Sequence, residues 1–399
     1  MNIADCIIIS NNTLYFLRKE TKPMKKKLWA LFLAVAMIAA FTTGCGGNNG
    51  GNDANADADT TASYTFAANI WSMGPYPLAI MIEADQLCAS ATGMTIDVAD
   101  NNFTADKIVT DLQTQLAKKP DGVIMFSVVD SVFGKVQEAC DSAGVPYVLD
   151  TNFPSDKATW EAIQADELYV GGVAASPYNM GKECAEQVKD PKGKTALILG
   201  AAIGDYSHDQ RILGFTETFE AAGGKVLQVE HCDDPTSAVT KAKNLFTNYD
   251  ADVVYCSGGD YLSAAAGFKK DNNKTWDLYG TDVAPDLIAD IEAGVIQAMN
   301  GGNHVNGSIA ECLLINYLDG HPILNEDGSK PFLDYLQAYL ITPDNAAGFA
   351  KLYENANVFI TDEMYQSLLY RYNPDVSLET YDEFLKGYAD AVYKMAEEA

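Results

Sequence analysis

From Tyr64 onward the chain switches between two hydrophobic periods. Short runs of β-branched, aromatic and other apolar residues alternate with longer segments whose apolar positions return at helical spacing. The strand-like runs are YTFAANIW (64–71), TIDVAD (95–100), GVIMFSV (122–128) and YVLDT (147–151). A second set follows: TALILG (195–200), KVLQVEH (225–231), VVYCSG (253–258) and WDLYGTD (276–282). Between them, Ile80, Ala84, Leu87 and Cys88 form one helical stripe, and Ile108, Leu112 and Leu116 form another. Gly93 and Gly144 stand just past predicted helix ends, where a residue free to adopt positive φ closes the last turn. Strand–helix alternation predicts parallel sheets with helices on both faces. The alternation comes in two blocks, separated by Pro154–Ser176 with its extended stretch LYVGGVAAS. The predicted class is α/β, with two doubly wound parallel-sheet lobes.

The N-terminal pattern differs. Lys25, Lys26 and Lys27 precede an uninterrupted apolar run from Leu28 to Phe41, then Thr42, Thr43, Gly44 and Cys45. A basic patch, an apolar run and small exit residues read as an export signal. The run falls short of the roughly 20 apolar residues that a membrane span needs. Residues 24–44 are thus a predicted signal peptide, and 1–23 an upstream extension or misplaced start before Met24. The ending small-x-Gly-Cys resembles the lipobox of bacterial lipoproteins, which implies cleavage before Cys45 and lipid attachment to its thiol. Residues 45–63 carry no large apolar side chain and read as a flexible linker. Asp53, Asn55, Asp57 and Asp59 imitate the start of a calcium loop, but Ala58 and Tyr64 occupy the positions that need Gly and Glu.

Composition narrows the partners. With 27 Lys and Arg against 55 Asp and Glu, the formal charge is −28, which argues against nucleic acid as a partner. A hydrophobic fraction of 48% suffices for a large core. Six cysteines follow Cys45, at 88, 140, 184, 232, 256 and 312, each inside an apolar run and none in a CxxC pair; they read as free buried thiols. The four histidines lack metal-ligand spacing, and no G-x-S-x-G elbow occurs. Gly193-Lys194-Thr195 looks like a P-loop ending, but Val188 stands where its first glycine belongs. No catalysis, metal or cofactor is expected.

In open α/β sheets, ligands bind beyond the carboxyl ends of the strands. That rule selects Trp71, Tyr76, Ser127, Asp130, Asp150 and Asn152 in the first lobe. It selects Tyr206, Arg211, Asp234, Asp260 and Asp282 in the second. Carboxylates, amides and a guanidinium pair with hydroxyls, and flat rings cover C–H faces, so the set suits a sugar. Asn300, Asn303 and His304 lie near a segment read as the third crossover and are hinge or ligand candidates.

Four segments carry a family resemblance: KKPDGVIMFSVVDS (118–131), EACDSAGVPYVLDT (138–151), DQRILGF (209–215) and GTDVAPDLIADIEAGVIQA (280–298). In order and spacing they resemble type I periplasmic binding proteins, specifically the ribose-binding-protein group of sugar ABC transporters, over about residues 64–320. The resemblance implies three crossover segments. It implies a first lobe of 64–174 and 282–302 and a second of 175–281 and 303–324. A C-terminal helical extension, 325–399, follows; its Tyr381, Phe384, Tyr388 and Tyr393 recur at helical spacing and should pack on the lobes.

The resemblance also implies stacking roles for Trp71 and Tyr76, and hydroxyl-binding roles for Asp150, Arg211 and Asp282. Thr151 replaces the family's Arg, and Gly259 its Asn, so the ligand departs from a plain pentose such as ribose. The expected protein is a monomeric, non-enzymatic, extracytoplasmic solute-binding lipoprotein. It captures a small sugar by hinge closure and delivers it to an ABC permease. The alternative is a sensor presenting a sugar, nucleoside or other small signal to a membrane receptor. On this reading Arg211→Ala abolishes binding and leaves folding intact.

Overall fold

The computed structural model describes residues 62–399 except residue 357. The upstream extension, the signal peptide, Cys45 and the linker up to residue 61 lie outside the described residues.

Twelve strands build two sheets among the described residues. The first holds β1 (Thr65–Ile70), β2 (Thr95–Asp100), β3 (Gly122–Phe126), β4 (Tyr147–Asp150) and β5 (Tyr169–Ala175). The second holds β6 (Thr195–Gly200), β7 (Lys225–His231), β8 (Val253–Cys256), β9 (Asp277–Thr281) and β10 (Ala298–Gly301). Two late strands, β11 (Phe332–Leu336) and β12 (Tyr339–Ile341), add one edge to each sheet. The spatial orders are β2-β1-β3-β4-β5-β11 and β7-β6-β8-β9-β10-β12. All pairings are parallel except β10 with β12. Each lobe thus repeats the doubly wound 2-1-3-4-5 order.

The helices are α1 (Tyr76–Thr92), α2 (Ala105–Leu116), α3 (Phe133–Ala143), α4 (Lys157–Ala165), α5 (Pro177–Glu186), α6 (Tyr206–Ala221) and α7 (Ala238–Asn248). They continue with α8 (Gly259–Asp271), α9 (Pro285–Glu292), α10 (Asn306–Leu318), α11 (Ala346–Asn355), α12 (Asp362–Ser367) and α13 (Leu378–Glu398). Gly93 and Gly144 close α1 and α3 in the left-handed region, as their positions predict.

The lobe boundaries need correction. The segment LYVGGVAAS is not a bare connection: its core is β5, paired with β4 and β11. Residues 298–301 were expected in the first lobe, but β10 pairs with β9 in the second sheet. Helix α10 was expected in the second lobe; it packs on β3, β4, β5 and α1 of the first. Its residues from Asn306 to Asn316 are all buried, so it is enclosed on every side rather than amphipathic. The chain therefore crosses between lobes at 175–177, 301–306 and 336–339.

The C-terminal extension is not only helical, since it supplies β11 and β12. Helix α11 packs on α9, α12 on α1, and α13 on both late strands. Tyr381 and Tyr388 are buried, as the aromatic stripe predicts. Arg371 clamps this region to the end of α10, donating from Nε and Nη2 to the two oxygens of Asp319 at 2.8 and 2.6 Å. All six cysteines after residue 62 are free and buried.

Helices α5 and α6 cross at backbone contact. A Cβ on Gly181 would lie 1.9 Å from the Arg211 carbonyl oxygen, and one on Gly214 would lie 2.0 Å from that of Tyr178. This reciprocal pair sets the position of Arg211. Gly181→Ala is expected to cost about 1–3 kcal/mol or more by overpacking. Denaturant unfolding checks this, and a change within about 0.5 kcal/mol would mean the helices can separate freely.

Candidate functional site

In a 2-1-3-4-5 sheet the strand order reverses between the first and third strands, and the loops there diverge to leave a crevice. Both crevices face each other here. After β1 come Trp71 and Pro75, and after β3 come Val128, Val129 and Asp130. After β6 comes the segment Ala201–Asp205, and after β8 Gly258–Tyr261. Together they enclose a cleft of about 480 Å³, within the usual range for small-molecule sites.

The first-lobe wall is aromatic. The Phe103 amide donates to the Trp71 carbonyl at 2.8 Å, and the two rings meet edge to face with centroids 6.1 Å apart. Phe103 holds φ at +55°, a conformation rare for a bulky side chain and usually retained for a local purpose. Asp130 is fixed at the rim by the Ser155 amide (2.6 Å) and hydroxyl (3.1 Å).

The second lobe supplies carboxylates. Asp205 caps α6 by accepting from the His208 amide at 3.3 Å, and Asp234 accepts from Thr236 Oγ1 at 2.5 Å and the Ser237 amide at 3.1 Å. Burial pushes the Asp205 carboxyl up to about 6. Asp260 is likewise pushed up to about 6, by burial and then by the neighbouring charges of Asp282 and Asp286. Glycines at 258 and 259 leave room at the mouth of α8, the second for the opposite lobe and the first for its own lobe's histidine. A Cβ on Gly259 would stand 3.2 Å from Pro77 of the opposite lobe, and one on Gly258 would stand 2.7 Å from the His208 ring.

Under the cleft floor lies a buried ion pair. Arg211 Nη1 donates to Asp282 Oδ2 at 3.0 Å and to the Ser257 carbonyl at 2.8 Å. Asp282 sits at φ +71°. Arg211 Nε and Asp282 Oδ1 are buried with no hydrogen-bond partner among the described residues. His208 Nδ1 lies 2.9 Å from Ser257 Oγ. Burial first, and the Arg211 charge second, hold this histidine neutral by driving its pKa well down.

The sequence-selected residues divide into three groups. Trp71, Asp130, Asp234, Asp260 and Asp282 line the main cleft. Ser127, Asn152 and Tyr206 line a neighbouring cavity of about 140 Å³, with Asp130 shared. Here the lobes touch: Ser207 Oγ donates to Asn152 Oδ1 at 2.5 Å, and the Phe153 and Tyr206 rings are 4.8 Å apart. Arg211 acts on the cleft only from beneath. Tyr76, Asp150 and Asn303 do not line the cleft: Tyr76 packs on the core, and Asn303 opens the short turn of the second crossover.

Asp150 faces the other way. Its Oδ1 accepts from Thr151 Oγ1 at 2.8 Å, and Thr151 Oγ1 in turn accepts from Asn306 at 2.9 Å. A Cβ on Gly307 would lie 2.8 Å from Asp150 Oδ2 and 2.6 Å from Asp85 Oδ1. Glu311, one turn further along α10, is also buried, with both oxygens unpartnered among the described residues. Burial raises Asp85 and Glu311 well above the usual carboxylate range, and raises Asp150 to about 7.

Sequence reasoning missed Phe103, Asp205, His208 and Tyr261, all cleft-lining. The signal was available: Phe103 follows β2, Asp205 follows β6, and His208 stands one helical turn before Arg211 on the same face.

Removing Arg211 would leave Asp282 charged and buried. Arg211→Met is therefore expected to cost about 3–5 kcal/mol, not to leave folding intact. Partial recovery in Arg211→Met with Asp282→Asn, measured by chemical unfolding, would confirm the pairing; an undiminished loss in the double variant would refute it.

The Asp85–Asp150–Glu311 cluster gives a signed pH effect. Unfolded carboxyls ionise near pH 3.9–4.3, whereas burial keeps protons on the folded ones, to about 7 for Asp150 and well above the usual carboxylate range for Asp85 and Glu311. Stability from this cluster is full below pH 4 and is lost as pH rises through about 7. The unfolding free energy should fall between pH 5 and pH 8, and Asp150→Asn should flatten that slope. An equal slope in the variant would show that Asp150 is already ionised at pH 5.

A family model described as a periplasmic binding protein domain matches residues 78–320. No curated protein matches the chain. Among solved structures, a galactofuranose binding protein is 18% identical with a TM-score of 0.63, covering 73% of this chain and 99% of its own. The periplasmic component of the arabinose ABC transporter of Shewanella sp. ANA-3, bound to L-arabinofuranose, is 17% identical at TM-score 0.62, covering 72% and 95%. A Mycobacterium smegmatis protein in complex with β-D-fucofuranose is 15% identical at TM-score 0.64, covering 73% and 96%. At such identities the likeness establishes the fold.

Proposed function

This chain belongs to the periplasmic binding protein family, and on that footing we propose that it is an extracytoplasmic solute-binding protein that closes around a small sugar and delivers it to an ABC transporter permease. The observation that carries the reading is the interlobe cleft: an aromatic corner on one wall, carboxylates on the other, at the carboxyl ends of both sheets. The Trp71–Phe103 corner suits the C–H face of a sugar ring, and the carboxylates accept from its hydroxyls. Ligand docks on one lobe, and rotation about the three crossovers brings up the other. The Asn152–Ser207 bond and the Phe153–Tyr206 contact then latch the closed form. Solved relatives bind galactofuranose, L-arabinofuranose and β-D-fucofuranose, which supports a monosaccharide-sized cargo.

The body is tethered, in this reading, through a lipid on Cys45, and acts as a monomer. Support for the tether is the signal-like run ending in Gly44-Cys45, together with the finding that no described helix is long and apolar enough to cross a membrane. The reading is non-enzymatic. A hydrolase built on Asp150 and Asp260 would need both acids at one substrate, and Asp150 is turned away beneath α10.

Thermal unfolding of the full chain in detergent against a panel of monosaccharides tests the proposal. A bound sugar at about 100 times its dissociation constant should stabilise by about 2.7 kcal/mol, and Trp71→Ala should remove most of that shift. Shifts with amino acids or nucleosides alone would keep the fold and overturn the cargo.

A further inference from the structure

The cleft has a marked charge imbalance. Six carboxylates line it: Asp130, Asp205, Asp233, Asp234, Asp260 and Asp282, and no Lys or Arg side chain does. The nearest guanidinium, Arg211, is buried beneath and engaged by Asp282 and the Ser257 carbonyl. His208 is neutral and adds no charge.

Three of the acids have structural duties. Asp130, Asp205 and Asp234 accept bonds from local amides or hydroxyls, as described. Asp260 stands at the start of α8 beside Asp282: a Cβ on the intervening Gly259 would be 3.6 Å from Asp282 Cβ. Asp282 is 8% exposed, lines the floor, and keeps its Oδ1 without a partner among the described residues. A buried, unpaired carboxylate oxygen is costly unless something donates to it.

The kind of donor follows from hydrogen-bond chemistry. Each sugar hydroxyl brings one hydrogen but also lone pairs that need donors of their own. An ammonium brings three donors and no acceptor. The lining is rich in acceptors, with Trp71, His208 and Tyr261 as its few side-chain donors. The Trp71–Phe103 corner adds ring faces, which attract cations. Asp282 is buried and Asp205 and Asp260 are partly withdrawn from water, so a neutral ligand would leave them without a counter-charge.

We propose that the cargo is cationic: an amine-bearing monosaccharide or aminopolyol whose ammonium group sits between Asp260 and Asp282. This rests on the sugar-binding reading above and narrows its ligand class.

The test uses the full chain in detergent and matched sets of ligands. Each set holds a hexose, its 2-amino-2-deoxy form and the N-acetyl derivative, in gluco, galacto and manno series, with 1-amino-1-deoxypentitols added. Calorimetric titration should give the amine at least roughly tenfold tighter binding than either uncharged counterpart. That preference should shrink as salt rises from about 0.05 to about 0.5 M, because screening weakens it. Asp260→Asn should bring amine and neutral forms to near equality, while Asp260→Glu retains the preference; unfolding temperatures check that both variants are folded. If a neutral sugar binds as tightly as its amine, the charge inference falls and the sugar reading stands. If no saccharide of either charge binds, both fall together.

Discussion

The Arg211–Asp282 ion pair is the constraint on which the second lobe's half of the cleft depends. It joins the middle of α6 to the residue just past β9, and it does so below the surface, where the pair is enclosed by Ser257 and the α5–α6 crossing. Asp282 is held at a positive φ, a region that aspartate adopts more readily than most side chains, and the pair fixes it there. One carboxylate oxygen is committed to the arginine and the other is left over. The two glycines, 181 and 214, belong to the same device, because only their missing Cβ atoms let α6 approach closely enough to deliver the guanidinium.

The C-terminal extension changes the mechanical picture of the hinge. Its strands finish the edges of both sheets, and its helices pack on opposite lobes: α11 on α9 and α12 on α1. The chain therefore passes from one lobe to the other again between α11 and α12, in addition to the three crossovers. The Tyr365 hydroxyl donates to the Ala84 carbonyl and lies 3.0 Å from Ser308 Oγ, and Asn316 donates to the Leu368 carbonyl, so α12 is bonded into the first lobe beyond its apolar contact. Any opening motion must carry these attachments along, which favours a small rotation over a wide one.

Much of this was legible in the sequence. Eight of the strands follow from short β-rich runs, and the cleft location follows from the doubly wound order. Four strands escaped: β11 and β12 in the C-terminal extension, and β5 and β10 for reasons visible in their residues. Strand β10 is AMNG, four residues with no β-branched side chain, ending in Gly301 and followed by Gly302, so it forms only because β9 and β12 offer partners. Strand β5 carries Gly171 and Gly172, which read as a connector; the sheet uses them because Leu313 and Phe332 occupy the space their side chains would fill.

The site shows the same division more sharply. Local pattern determined the class of fold, the two lobes and the strand ends at which ligand-binding residues must lie, because periodicity and strand–helix alternation are properties of neighbouring residues. It could not determine which strand-end acid faces the cleft. Asp150 ends β4 and Asp282 follows β9, and each precedes or occupies a positive-φ position, yet one turns beneath α10 and the other lines the cleft. That choice was made by the packing of α10 in the first lobe and by Arg211 in the second. Both are long-range contacts, and only the folded chain brings them together.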